Sequence, residues 1–335
     1  MSNVLVTGGT GFLAGWTIRK LLEQGHTVRT TVRSSAKSTV IVDMLAAEGV
    51  DTSNVSFAVA DLGSSEGWPE AATGIDYVLH LASPLGGENH NDPKLIPTAK
   101  AGVINVFNAA IDAGVKKIVM TSSAAAVFPG RADMHRTIDE TFWTDIDDKL
   151  VTNYMRSKVV AERTAWDIIG KQAGTKLVTI LPGAIFGPFM NGRRSSTELL
   201  FTSILRGAPS PKATYQAVDA RDLADLPILA MLDDRADGER FIAQPGEITM
   251  PQMARLLKDR LGEQGRKIST MTIPDFVIKV GARFNSTMAV MNTLIGMEHH
   301  YDTSKAQRLL GWDPRPIEDT VIDAATYTLE NRAED

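Results

Sequence analysis

Tyr154 and Lys158 stand four residues apart, in Tyr154-Met155-Arg156-Ser157-Lys158. That spacing puts both side chains on one face of a helix. An ammonium group beside a phenol favours the phenolate, so the pair is suited to exchange a proton with a carbonyl or an alcohol near neutral pH. Upstream, Thr121-Ser122-Ser123-Ala124 follows an apolar run that reads as a buried strand. At the carboxyl end of such a strand, hydroxyls face a ligand crevice. Ser123 is therefore expected to donate a hydrogen bond to a substrate oxygen, with Tyr154 as proton donor. Lys158 is expected to hold ribose hydroxyls and to support the tyrosine. This chemistry needs no metal. A lone Tyr-x-x-x-Lys is more often an exposed helix pair, and it gains its meaning from what precedes it in the chain.

What precedes it is a glycine-rich turn, Gly8-x-x-Gly11-x-x-Ala14, between a strand-like Asn3-Val4-Leu5-Val6-Thr7 and a helical segment from Phe12 to Gln24. Glycines there let backbone approach a pyrophosphate, and the helix N-terminus offers free N–H groups and a positive dipole end. The second strand ends Thr31-Val32-Arg33-Ser34-Ser35-Ala36-Lys37, without the acid that meets a ribose hydroxyl in NAD-preferring folds. Arg33 and Lys37 could clamp a 2′-phosphate, so the expected cofactor is NADP(H). Asp61 and Leu62, after the third strand, are expected near the adenine. A helix N-cap is the competing reading of Asp61.

The elements that position these residues alternate. Strands are expected at Asn3-Val4-Leu5-Val6-Thr7, Thr27 to Val32, Ser56-Phe57-Ala58-Val59-Ala60, Tyr77-Val78-Leu79-His80-Leu81, Lys117-Ile118-Val119-Met120-Thr121 and Leu177 to Leu181, with helices near 36–48, 94–113 and 154–173. Strands alternating with helices imply an α/β doubly wound parallel sheet of the Rossmann type. We expect it to fill residues 1–182, with some later segments returning to it. Residues 183–330 read mainly as a smaller, mostly helical substrate-binding cap, with helices near 197–206, 221–233, 250–261, 274–282 and 317–330. Met288, Met291 and Met297 read as helix packing, and residues 331–335 as a frayed end. His299 and His300 are adjacent and so point apart, which is no basis for a metal site.

Composition narrows the class. The chain has 335 residues, 43% apolar and 22% charged, with no cysteine and a formal net charge of -5. Disulfides, thiolate zinc sites and cysteine nucleophiles are excluded. No apolar run is long enough to cross a bilayer, and no basic stripe suggests nucleic acid. The N-terminus runs straight into VLVTGG without a signal-like segment. A cytoplasmic protein is expected.

These motifs resemble those of the extended short-chain dehydrogenases/reductases. The narrower likeness is to the dihydroflavonol reductase and cinnamoyl-CoA reductase group with its microbial aldehyde and ketone reductases. VLVTGGTGFLAG, Val28-Arg29-Thr30-Thr31-Val32-Arg33, His80-Leu81-Ala82-Ser83-Pro84, YMRSKVVAERTAW from Tyr154, and the tail from Asp302-Thr303-Ser304-Lys305 to Leu310-Gly311-Trp312 carry it. The resemblance implies Ser123, Tyr154 and Lys158 as a catalytic triad and assigns Thr10, Phe12, Leu13, Leu81, Ala82, Ser83, Thr121, Pro182 and Ile185 to the cofactor groove. There are departures. Ala14 replaces the third glycine, and Pro227 stands where a histidine follows the VDARDLA run. Ala99 or a neighbour replaces the asparagine of the epimerases.

The expected activity is NADPH-dependent reduction of a small aldehyde or ketone. Ser83, Pro84, Leu85, Phe128, residues 186–190 and Tyr215 are the expected substrate walls, and a homodimer is left open. The rivals are an NAD-dependent nucleotide-sugar epimerase or dehydratase and a non-catalytic NADP-binding sensor.

Overall fold

The computed structural model describes residues 1–84, 89–130, 133, 136–190, 196–284, 288, 292, 295–296 and 299–331. Leu85, Met291, Met297 and residues 332–335 lie outside the described residues. The first elements are β1 (Asn3–Val6), α1 (Phe12–Glu23), β2 (Thr27–Val32), α2 (Ser38–Ala47), β3 (Val55–Val59), α3 (Trp68–Ala72), β4 (Tyr77–His80), α4 (Leu95–Asp112) and β5 (Lys117–Thr121). They are followed by β6 (Thr137–Ile138), α5 (Asn153–Ile169), β7 (Lys176–Pro182), β8 (Ala184–Phe186), α6 (Ser196–Leu205), β9 (Ser210–Pro211), β10 (Thr214–Asp219) and α7 (Ala220–Leu232). The chain closes with β11 (Arg240–Ala243), β12 (Gly246–Thr249), α8 (Met250–Arg260), β13 (Thr272–Ile273), α9 (Asp275–Gly281), β14 (His300–Tyr301), α10 (Ser304–Leu310) and α11 (Ile317–Glu330).

Seven strands form one parallel sheet in the order β11-β7-β5-β4-β1-β2-β3. This is the expected doubly wound sheet. Its direction of growth reverses between β1 and β4, and the carboxyl ends of those two strands open the crevice where such folds bind ligands. Both faces are covered over the central strands, so β1, β4 and β5 read as nearly continuous apolar runs. Val4 and Val6 enter one core with Leu13, Ile18 and Leu21 of α1. Leu5, between them, enters the other with Val103 and Phe107 of α4. Phe107 has no exposed surface; burying it stabilises the fold by roughly 1.5–3 kcal/mol.

Residues beyond 182 divide. β11 pairs with β7 at the sheet edge, and α7 packs on α1, with Lys20 and Asp225 joined at 2.6 Å. β12, β10 and β8 make a small second sheet. It shares a core of Phe186, Phe201, Met253, Leu257 and Val321 with α6, α8 and α11. β11 is a seventh strand at a place where sequence reading assigns no element, although it expects some later segments to return to the sheet. Its first residue, Arg240, is a buried cation matched by Glu162 at 2.8 Å, and a charge at that place interrupts the apolar signature of a strand. Among the described residues no helix is long and apolar enough to cross a membrane.

Candidate active site

The glycine turn links β1 to α1 at the crevice. Gly8 N donates to Thr31 Oγ1 at 2.9 Å and Gly9 N to the Thr31 carbonyl at 3.1 Å. Gly8 holds φ +74°, and a Cβ there would lie 3.0 Å from Ala82 Cβ. A Cβ on Gly9 would lie 2.2 Å from Thr30 Oγ1. Glycine is thus required at both, by backbone angle at one and by space at the other. Gly11 is the N-cap of α1 and brings no side chain to it, and the first turn of α1 carries no acid. Helix N–H groups left without a side-chain acceptor suit an anionic group.

Arg33 and Lys37 follow β2, exposed and without an ion pair among the described residues. Asp61 is exposed too, but it does not cap a helix: its Oδ1 accepts from Gly63 N at 2.8 Å, while the N-cap of α3 is Gly67. The competing reading of Asp61 is therefore corrected to a local turn. Leu62 packs where a Cβ on Gly102 of α4 would meet it at 2.9 Å.

The end of β4 is fastened to β1 through Thr7. Thr7 Oγ1 accepts from Leu81 N at 3.1 Å and Ala82 N at 3.0 Å, and it lies 3.0 Å from His80 Nδ1. Burial, with a smaller contribution from the Lys158 charge, lowers His80 to about 4. Three residues after His80, Ser83 Oγ accepts from Lys158 Nζ at 2.7 Å.

Lys158 and Tyr154 come from the first turns of α5. Thr152, two residues ahead of the tyrosine, caps that helix by accepting from Met155 N. Lys158 is 4% exposed, and its Nζ stands 5.5 Å from the centre of the Tyr154 ring. The ring also meets His90 edge-on at 5.3 Å, and Tyr154 N donates to the His90 carbonyl at 2.8 Å. Ser123 ends the β5 segment and caps a short turn, accepting from Ala125 N at 3.1 Å, so its own proton remains available. That turn packs on α5. Among the described residues Thr121 Oγ1 has no hydrogen-bond partner, although it is buried. Pro182 closes β7 beside Ala243 of the adjacent β11, and Ile185 lies in β8 opposite Val218 of β10.

A crevice with an uncapped helix at one side and a tyrosine–lysine pair at the other is the arrangement of one broad group. The family model matching residues 4–242 is that of the NAD dependent epimerase/dehydratase family. The chain belongs to this family. Within it, the extended short-chain dehydrogenases/reductases, the similarity runs to reductases. Dihydroflavonol 4-reductase of Gerbera hybrida is 31% identical over 273 residues, 78% of this chain and 73% of that protein. Cinnamoyl-CoA reductase 1 of Petunia hybrida is 36% identical over 250 residues, 72% of each. The solved structure of Gre2 from Candida albicans in complex with NADPH superposes with a TM-score of 0.82, at 26% identity, over 99% of both chains.

In this family member several expected walls lie elsewhere. Phe186, Phe189 and Met190 are 0%, 4% and 3% exposed. Phe186 meets Phe201 edge-on in the second core, and Phe189 lies on Phe12 with ring centres 4.1 Å apart. Trp16 Nε1 binds the Pro188 carbonyl at 3.1 Å. The segment thus seals α1 against the second core. Phe128 and Tyr215 remain half-buried. His299 is buried, its Nε2 3.1 Å from the Gly130 carbonyl, and His300 is exposed. Sequence reading missed the Thr7–His80 clasp and the carboxylate of Glu162 beneath Ser122. His80 had a visible trace, a histidine ending an apolar strand.

Proposed function

We propose that the chain reduces an aldehyde or ketone to the alcohol with NADPH. The observation that carries this reading is Lys158: one buried ammonium reaches both Ser83, at the end of β4, and the ring of Tyr154. Gly8, Gly9, Gly11 and the start of α1 would hold the pyrophosphate of NADP(H), with Arg33 and Lys37 on its 2′-phosphate and Lys158 on a ribose hydroxyl. Thr10, Phe12, Leu13, Leu62, Leu81, Ala82, Thr121, Pro182 and Ile185 would complete the groove, with Asp61 near the adenine. When bound, NADPH supplies a hydride to the carbonyl carbon.

The chain's own part is orientation and one proton. Ser123 donates a hydrogen bond to the carbonyl oxygen, fixing its direction. Tyr154 Oη gives its proton to that oxygen as the alcohol forms, and the Lys158 ammonium stabilises the charge left on the phenol. Residues of 183–330 close the substrate side, with Phe128 and Tyr215 as walls. Similarity to dihydroflavonol and cinnamoyl-CoA reductases supports a reductase over an epimerase, and the absence of an acid after β2 supports NADPH over NADH.

A screen of aldehydes, diketones and ketoesters, followed by NADPH absorbance, tests the reading. The expected result is turnover of at least one class, with NADPH preferred. No turnover with any carbonyl, or purification with tightly held NAD, would overturn it.

A further inference from the structure

We propose that Glu162 is a positioning residue that locks α5 to the end of β5, so that Tyr154 and Lys158 stay in register with Ser123. The proposal rests on the reductase reading above. Glu162 follows Lys158 by four residues and so lies on the same face of α5, with no exposed surface. Its two oxygens are used differently. Oε1 accepts from Thr179 Oγ1 of β7 at 2.8 Å and from Arg240 Nε of β11 at 2.8 Å, with Trp166 Nε1 at 3.5 Å. Oε2 accepts from Ser122 Oγ at 2.6 Å, and Ser122 directly precedes Ser123.

One carboxylate therefore joins the helix carrying the tyrosine to the strand end carrying the serine. The rest of the network keeps that carboxylate still. The Arg240 guanidinium lies 3.8 Å from the centre of the Trp143 ring, and its Nη1 donates to the Glu140 and Phe142 carbonyls. Glu140 Oε1 in turn accepts from Ile242 N at 3.1 Å. A buried ion pair is a weak source of net stability, because desolvation offsets much of its attraction. Its geometry is nonetheless stiff, since any rotation strands a buried charge. Stiffness is what proton transfer needs here, because a misplacement of about 1 Å costs on the order of 10²-fold in rate.

Two substitutions that each delete one donor to this carboxylate separate positioning from plain support. Ser122→Ala frees the oxygen tied to the residue before Ser123. Thr179→Val frees one bond on the side facing β7, away from the serine. With NADPH and the best carbonyl from the screen, Ser122→Ala is expected to lower kcat about 10- to 100-fold. Its carbonyl KM and NADPH Kd should stay within about threefold of the unmodified chain, and Thr179→Val should keep all of these constants within about threefold. Amide hydrogen exchange of residues 153–160, measured without cofactor, should quicken in Ser122→Ala and not in Thr179→Val. Thermal denaturation of both variants shows whether equal losses of stability accompany unequal losses of rate. An unchanged kcat in Ser122→Ala, or equal falls in both variants, overturns the proposal. If the unmodified chain reduces no carbonyl, the functional reading fails, and the exchange comparison still decides the role of Glu162.

Discussion

The two ends of the crevice are built by opposite means. At the β1–α1 turn the site is made by leaving side chains out: Gly8, Gly9 and Gly11 expose backbone, and no side chain caps α1. At the junction of β4, β5 and α5 it is made by side chains with buried partners. Lys158 sits on Ser83, Thr7 beside His80, and Ser122 on Glu162. The first end is broken by adding a carbon atom, and the second by removing an oxygen or moving a charge. Binding and proton transfer should therefore fail separately.

The largest expected effect is at the second end. Tyr154→Phe removes only the phenolic hydroxyl, so kcat should fall by roughly 10²–10⁴-fold while NADPH binding, followed by its fluorescence, stays intact. A variant keeping more than about a tenth of the rate would exclude Tyr154 as the acid.

His80 sharpens the contrast through pH. Burial lowers it from 6.5 to about 4, so the unfolded chain takes up the proton first as pH falls. The contribution to stability is complete above pH 6.5 and is lost between about 6.5 and 4, a change of about 3 kcal/mol. His26 and His299, also lowered by burial, add to the same slope. His80→Gln keeps an acceptor for Thr7 and should flatten the slope, measured by urea denaturation at several pH values across that window. Parallel curves for the two proteins would remove His80 from the account.

At the glycine end, Gly9→Ala sets a Cβ against Thr30 and Ile41, 2.2 and 2.8 Å away. It should destabilise the fold by about 1–3 kcal/mol and weaken cofactor binding, read by denaturation and by titration. Wild-type stability in this variant would mean the turn has slack. The smallest effect is Arg33→Ala, about ten- to a hundredfold weaker NADPH binding with NADH little changed, because only NADPH has a phosphate to lose. Equal losses for both cofactors would count against a phosphate contact.

Most of the sheet was legible because strands buried on both faces are continuous apolar runs, and the glycine turn and the Tyr154–Lys158 spacing are local patterns. What escaped was tertiary. β11 begins with Arg240, whose place in a core makes sense only with Glu162, 78 positions earlier. Phe189 and Met190 read alike whether they line a pocket or cover α1. Asp61 offered two local roles, adenine contact and helix cap, and the turn to Gly63 depends on where α3 begins, just after its cap Gly67.

The Thr7 hydroxyl fixes a direction of protons. Its oxygen already accepts from Leu81 N and Ala82 N, so its hydrogen must point at His80 Nδ1, and the ring must carry its own hydrogen on Nε2. A second proton on that ring would face the Thr7 hydrogen head-on and add a cation to the buried neighbourhood of Lys158. Acid therefore loads the seam between β1 and β4 with a cost that it does not place on the second core around Phe186 and Phe201, among whose described residues no histidine stands.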